Sequence, residues 1–123
     1  MLTQLFTIMI TMLALDSAYF SLTSSLFSQM VVKIQRTSMQ IRLGGAAVVY
    51  LLMTFGLYYF IIRPRRSAWD AGLLGLVIYG TFDFTNYAIL KNYDIAIAIM
   101  DTMWGAILFA TTTFIVNNFF YTF

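Results

Sequence analysis

The sequence contains no cysteine and no histidine. The first absence excludes disulfides, thiolate nucleophiles and iron–sulfur clusters. The second removes the usual zinc and haem ligand and the usual general base near neutral pH. Glutamate is missing as well: all five acidic residues are Asp, at positions 16, 70, 83, 94 and 101. Proline occurs once, at Pro64, which leaves no room for a proline-rich linker. Charged residues make up only 10% of the 123 positions, against roughly 25% in an ordinary soluble domain. The net charge of +2 is too small to suggest a nucleic-acid partner, and none is expected.

What the chain does have is apolar side chains, 61% of the total. A soluble fold of this size leaves much of its surface in water and could not hide them. Lipid resolves the difficulty by acting as the solvent. The expected fold class is therefore all-α, an integral membrane four-helix bundle, with residues 1–123 as one transmembrane domain. The bilayer is its expected environment, as a multi-pass protein.

The clearest span is Leu43 to Ile62, twenty residues without a formal charge, about 30 Å as a helix and enough to cross the hydrocarbon core. It ends in Tyr58-Tyr59-Phe60 and then Arg63-Pro64-Arg65-Arg66, an aromatic belt followed by cationic anchors and a helix-stopping proline. The first span, about 3–22, carries Asp16. A cleavable signal peptide competes for this stretch, but no basic segment precedes it. Residues 23–42 are more polar and form an expected polar or interfacial connection. Phe27, Met30, Val31 and Ile34 recur there at helical spacing, so the stretch either prolongs the first helix or lies along the interface. The third and fourth spans, about 71–90 and 95–116, contain Asp83 and Asp101. Only Lys91-Asn92-Tyr93-Asp94 separates them, which predicts a tight antiparallel pair, and Asn117 to Tyr121 forms a second aromatic belt. Ala68, Ala71, Gly72, Gly75, Ala106 and Ala110 read as helix-packing positions.

With both termini and the 63–70 loop on face A, that face carries Arg63, Arg65 and Arg66. Face B carries Lys33, Arg36, Arg42 and Lys91. A margin of one does not fix the orientation by the positive-inside rule.

A charge inside the bilayer costs roughly 2.5–3.5 kcal/mol on insertion scales, so each intramembrane Asp needs a reason. The 1.5 Å helical rise puts Asp16 about 20 Å, Asp83 about 18 Å and Asp101 about 21 Å from face A across a core of about 30 Å. Tyr50 falls in the same layer, about 10 Å from face B. At one depth the three carboxylates can converge on a common polar centre. Tyr79, Asp83 and Asn86 share a face of the third helix, and Asp101, Trp104 and Gly105 are close on the fourth. On the first helix, Tyr19 follows Asp16 by one turn. Arg42 and Lys91 flank the layer from face B. Three carboxylates in a low dielectric must hold protons or a cation. Oxygen ligands alone would suit a hard cation or Na⁺ better than zinc or copper.

The segment Tyr79-Gly-Thr-Phe-Asp-Phe-Thr-Asn-Tyr-Ala-Ile-Leu-Lys91, followed by Met100-Asp-Thr-Met-Trp-Gly105, resembles the DUF2177 family of small membrane proteins of unknown function. Leu15-Asp16 late in the first helix and Arg63-Pro64 after the second fit the same pattern. The resemblance spans nearly the whole chain. It implies four helices, draws attention to Asp16, Asp83, Asn86, Lys91, Asp101 and Trp104, and supplies no activity.

The functional expectation is a transporter- or channel-like module. Its intramembrane polar site (Asp16, Tyr50, Asp83, Asn86, Asp101 and Trp104) binds a proton or small cation, without a cofactor or resident metal. A homo-oligomer or a larger membrane assembly is a further expected partner. The first alternative is a structural or assembly subunit whose Asp residues only fix helix packing through hydrogen bonds. An intramembrane enzyme acting on lipid ranks third. The chain has neither the Gly-x-Gly-Asp of intramembrane aspartyl proteases nor a repeated-Asp head-group transferase signature, so an enzyme is not expected.

Overall fold

The computed structural model describes residues 1–121, with side chains to Phe120. The side chain of Tyr121, part of the expected closing belt, lies outside the described residues. Four helices follow in order: α1 (Leu2–Gln35), α2 (Leu43–Leu57), α3 (Ala68–Ile89) and α4 (Ile95–Tyr121). No strand occurs among the described residues.

Helix α1 does not stop near Leu22 but continues to Gln35. Nothing in its sequence breaks it, since the first glycine of the chain is Gly44 and the only proline is Pro64. Of the two readings of 23–42, prolongation of the helix holds as far as Gln35. The reason is packing: Phe27, Met30 and Ile34 form a second apolar cluster with Tyr93, Ile97 and Ala98 at the start of α4. The helix ends at Arg36, which adopts the left-handed conformation (φ 64°) while its N–H bonds the Val32 carbonyl. At 34 residues, α1 is about 50 Å long, well beyond a hydrocarbon core of about 30 Å, so its last turns emerge on face B.

Helix α2 is followed by one π-helical turn, Tyr58–Ile62, in which the Arg63 N–H reaches back five residues to the Tyr58 carbonyl at 2.8 Å. This wider turn lets Ile61 and Ile62 both bury, and Pro64, lacking an N–H, prevents the helix from resuming. Arg63 lies 4.4 Å from the centre of the Tyr59 ring, which fixes cation and aromatic belt together. Helix α3 begins with a serine cap, the Asp70 N–H donating to Ser67 Oγ at 3.1 Å. The α3–α4 turn closes with Asn92 in the left-handed region (φ 69°) and Asp94 Oδ1 accepting from the Ala96 N–H.

Three segments are both long and apolar enough to cross a membrane: α1, α2 with its π-helical turn, and α4. Helix α3 has the length, 22 residues, but Asp70, Asp83 and Asn86 lower its apolar character. Its deep charge, Asp83, is wholly buried, and it turns Leu73, Val77, Phe82 and Phe84 outward together with Thr81 and Thr85.

The two helices touch backbone to backbone. A Cβ at Gly75 would run into the Gly105 carbonyl, and one at Gly105 would run into the Tyr79 ring. Only glycine permits either contact, as small residues do generally where membrane helices cross closely. Gly72 faces Ala106 and Ala110 across the same interface. The main core lies on the face A side, where Ile8, Met12, Leu57, Ile62, Leu108 and Phe109 are buried together. Helix α2 packs more loosely on α1 and leaves clefts on both of its flanks.

Candidate intramembrane carboxylate site

Asp83 and Asp101 each lie six residues in from the α3–α4 turn, which sets both about 9 Å below the face B ends of their helices. The glycine contact between α3 and α4 then makes them neighbours, with the two carboxyls within side-chain hydrogen-bonding reach of each other. Asp83 is 0% exposed and Asp101 7%. Asp83 Oδ1 accepts a hydrogen bond from the Tyr93 hydroxyl at 2.9 Å. Its Oδ2 is buried and has no donor. Asp101 Oδ1 accepts from the Tyr19 hydroxyl at 2.9 Å, a bond from α1 to α4.

Asp16 sits apart from this pair, half-buried on α1. The Trp104 Nε1–H donates to its Oδ1 at 2.8 Å, and the Tyr50 hydroxyl donates to its Oδ2. Two rings join the parts: Tyr19 and Trp104 stack with centroids 4.5 Å apart and planes 1° from parallel. One ring serves Asp101 and the other Asp16. The result is a continuous polar chain through the bundle, Tyr50–Asp16–Trp104, stacked on Tyr19–Asp101, and on to Asp83–Tyr93.

The single common centre suggested by equal depth is therefore resolved into a pair and a separate third carboxylate. Among the described residues, no three His, Cys, Asp or Glu side chains come close enough to hold a metal ion together. The physical reason is that close approach of α3 and α4 unites Asp83 with Asp101, while the Tyr19–Trp104 stack links Asp16 to them only indirectly. Asn86 does not touch the carboxyls in any bond the structure records; its side chain bonds the Tyr93 phenol. Arg42 and Lys91, the expected flanking cations, are exposed and make no ion pair with these Asp residues. Both lie at helix ends on face B, where water solvates them.

Two participants escaped the sequence reading. Tyr93 lies in the turn between α3 and α4, yet among the described residues its hydroxyl is the side-chain donor to Asp83 Oδ1. Burial holds this phenol above its ordinary range, and the adjoining Asp83 carboxylate adds to the effect, so Tyr93 stays a donor. Tyr19 stood out as a neighbour of Asp16, but its length carries the hydroxyl to Asp101. The signal common to both is numerical: each of the three intramembrane carboxylates has one tyrosine donor.

A cavity of about 650 Å³ lies between α1 and α2, with Asp16, Tyr19, Tyr50, Tyr79 and Asp101 among its walls. A second, of about 370 Å³, lies on the other flank of α2 and is apolar apart from Asp101 and Tyr79. Asp101 and Tyr79 thus form the partition between the two.

A protein family described as "Predicted membrane protein (DUF2177)" matches residues 1–117. The chain belongs to this family. Neither the curated proteins nor the solved structures yield a match. Together with the three apolar spans, membership makes this DUF2177 protein a multi-pass membrane protein. The family description names no activity.

Proposed function

We propose that this DUF2177 protein is a proton-binding membrane module of the transporter type, in which Asp83 and Asp101 share one exchangeable proton. The observation that carries the reading is Asp83 Oδ2, a wholly buried acceptor without a donor beside a second buried carboxyl. Ionised carboxylates only accept hydrogen bonds. A buried acceptor left unmet costs about 1–3 kcal/mol, and one proton held between the two groups supplies the missing donor. Carboxyl pairs elsewhere solve the same problem this way. A proton is favoured over a metal cation because no third carboxylate joins the pair.

The test has two parts. Infrared spectra of the protein in lipid at neutral pH should contain a protonated-carboxyl C=O band that disappears in Asp83→Asn. Proton uptake by liposomes after an external pH jump should slow at least tenfold in the same variant. An unchanged spectrum together with unchanged uptake removes the proposal.

A second reading is favoured by the cross-linking pattern, since Tyr50–Asp16 ties α2 to α1 and Tyr19–Asp101 ties α1 to α4. A structural subunit would need these bonds for helix register alone. It predicts that Asp16→Asn, Asp83→Asn and Asp101→Asn combined still fold, and that the protein shows no proton uptake at all.

A further inference from the structure

We propose that the cavity between α1 and α2 binds a lipophilic organic cation of the onium class, a substituted ammonium or phosphonium. This rests on the reading of the carboxylate layer as a binding centre and adds the chemical class of its ligand. At about 650 Å³, the cavity falls within the roughly 300–1,000 Å³ of small-molecule sites.

Its charge is one-sided. Asp16 and Asp101 line it, and no Lys or Arg does. Every side-chain donor to these carboxylates is neutral: Tyr19 for Asp101, and Tyr50 and Trp104 for Asp16. Among the described residues, no ion pair to Asp16 or Asp101 is formed. Asp101 is 7% exposed, and its Oδ1 accepts from the Tyr19 hydroxyl. Behind it stands Asp83, wholly buried, with its own Oδ2 unserved. With one proton shared between Asp83 and Asp101, the pair keeps a single negative charge at the back of the site, which a monovalent positive charge in the cavity would offset.

The remaining walls choose between kinds of cation. A bare metal ion needs several oxygens close around it to replace its water, and among the described residues no three His, Cys, Asp or Glu side chains gather to supply them. An onium ion carries an apolar coat and has little hydration to replace. The rings of Tyr19, Phe20, Phe27 and Tyr79 border the cavity, and aromatic faces attract quaternary cations. Leu13, Ile41 and Leu43 supply apolar wall for its substituents.

The experiment uses the full chain in phosphatidylcholine nanodiscs. The two tryptophans are Trp69, 76% exposed, and Trp104, which donates to Asp16. Trp69→Phe leaves Trp104 as the only tryptophan and makes its emission a reporter of the site. Tetraphenylphosphonium should change that emission saturably. Tetraphenylborate, of the same shape and opposite sign, should give no saturable change. Asp101→Asn and Asp16→Asn should each weaken tetraphenylphosphonium binding at least tenfold, whereas Asp94→Asn in the exposed turn should not. Absence of saturation, an equal response to the borate, or unchanged affinity in Asp101→Asn overturns the proposal. The comparison of opposite ions needs no Asp variant, so a poorly folded variant does not blunt it. A carboxyl band without cation binding overturns the onium site and leaves the shared proton standing; cation binding without the band does the reverse.

Discussion

The α3–α4 pair and the α1–α2 pair are both rich in apolar side chains, yet they pack in opposite ways. In α3–α4, Gly75 and Gly105 bring the backbones into contact, Tyr79 lies on Gly105, and two carboxyls are sealed between the helices. In α1–α2 the helices meet in the face A core, through Ile8, Met12 and Leu57, and at the polar layer through one tyrosine–aspartate bond, with an open cavity between them beyond it. Lipid tails are as apolar as leucine, so hydrophobicity does not press membrane helices together; small residues and hydrogen bonds decide where they meet. Glycine therefore makes one half tight; in the other, α1 has no glycine and those of α2, Gly44, Gly45 and Gly56, meet no neighbouring helix, which leaves it loose. The carboxylate chain runs along the seam between them.

Breaking the tight half should have the largest effect. In Gly75→Ala the new Cβ meets the Gly105 carbonyl, which is backbone and has nowhere to move. Overpacking usually costs about 1–3 kcal/mol, and a clash with main chain should reach the top of that range or exceed it. Thermal unfolding in detergent should show the loss, and Gly72→Ala, whose Cβ would find ordinary contacts at 3.5 Å, should be close to wild type. A smaller effect is expected where the halves share the site. Tyr93→Phe removes the hydroxyl that donates to the buried Asp83 Oδ1 and should destabilise by about 1–3 kcal/mol, with a shift of the Asp83 carboxyl band as its spectroscopic sign. The smallest belongs to the loose half. Tyr50→Phe removes one interhelical hydrogen bond, worth about 0.6 kcal/mol on average in membrane proteins, and Asp16 keeps its Trp104 donor. If Tyr50→Phe proves as damaging as Gly75→Ala, the contrast between the halves is wrong.

Much of the fold could be read in advance because hydropathy and helical rise act locally. The span at 43–62 and the hairpin around Lys91–Asp94 both follow from counting along one helix at a time. Partner choice does not. Depth says nothing of rotation about a helix axis, so it cannot separate Asp16 from the Asp83–Asp101 pair. That separation depends on Gly75 meeting Gly105. Tyr93 was invisible for a related reason: a turn residue gains a buried partner only once the turn folds back over the end of its own helix. The helical spacing of Phe27, Met30 and Ile34 was visible, but the choice of helix over interface came from Tyr93, Ile97 and Ala98, residues some sixty positions away.

Helix α1 joins several of these contacts in one rod. It carries Asp16 and Tyr19 in the layer, takes a hydrogen bond from the Asp94 N–H on Met30 Sδ, and accepts one from Asn92 Nδ2 on the Lys33 carbonyl. An unbroken helix of this length behaves as a lever whose long arm lies in the bilayer and whose short end stands in water. A push on Gln35 that frees Lys33 from the turn would swing Asp16 and Tyr19 together, parting one from Tyr50 and the other from Asp101. Whatever holds that outer end thereby sets the grip of the whole polar chain from outside the membrane.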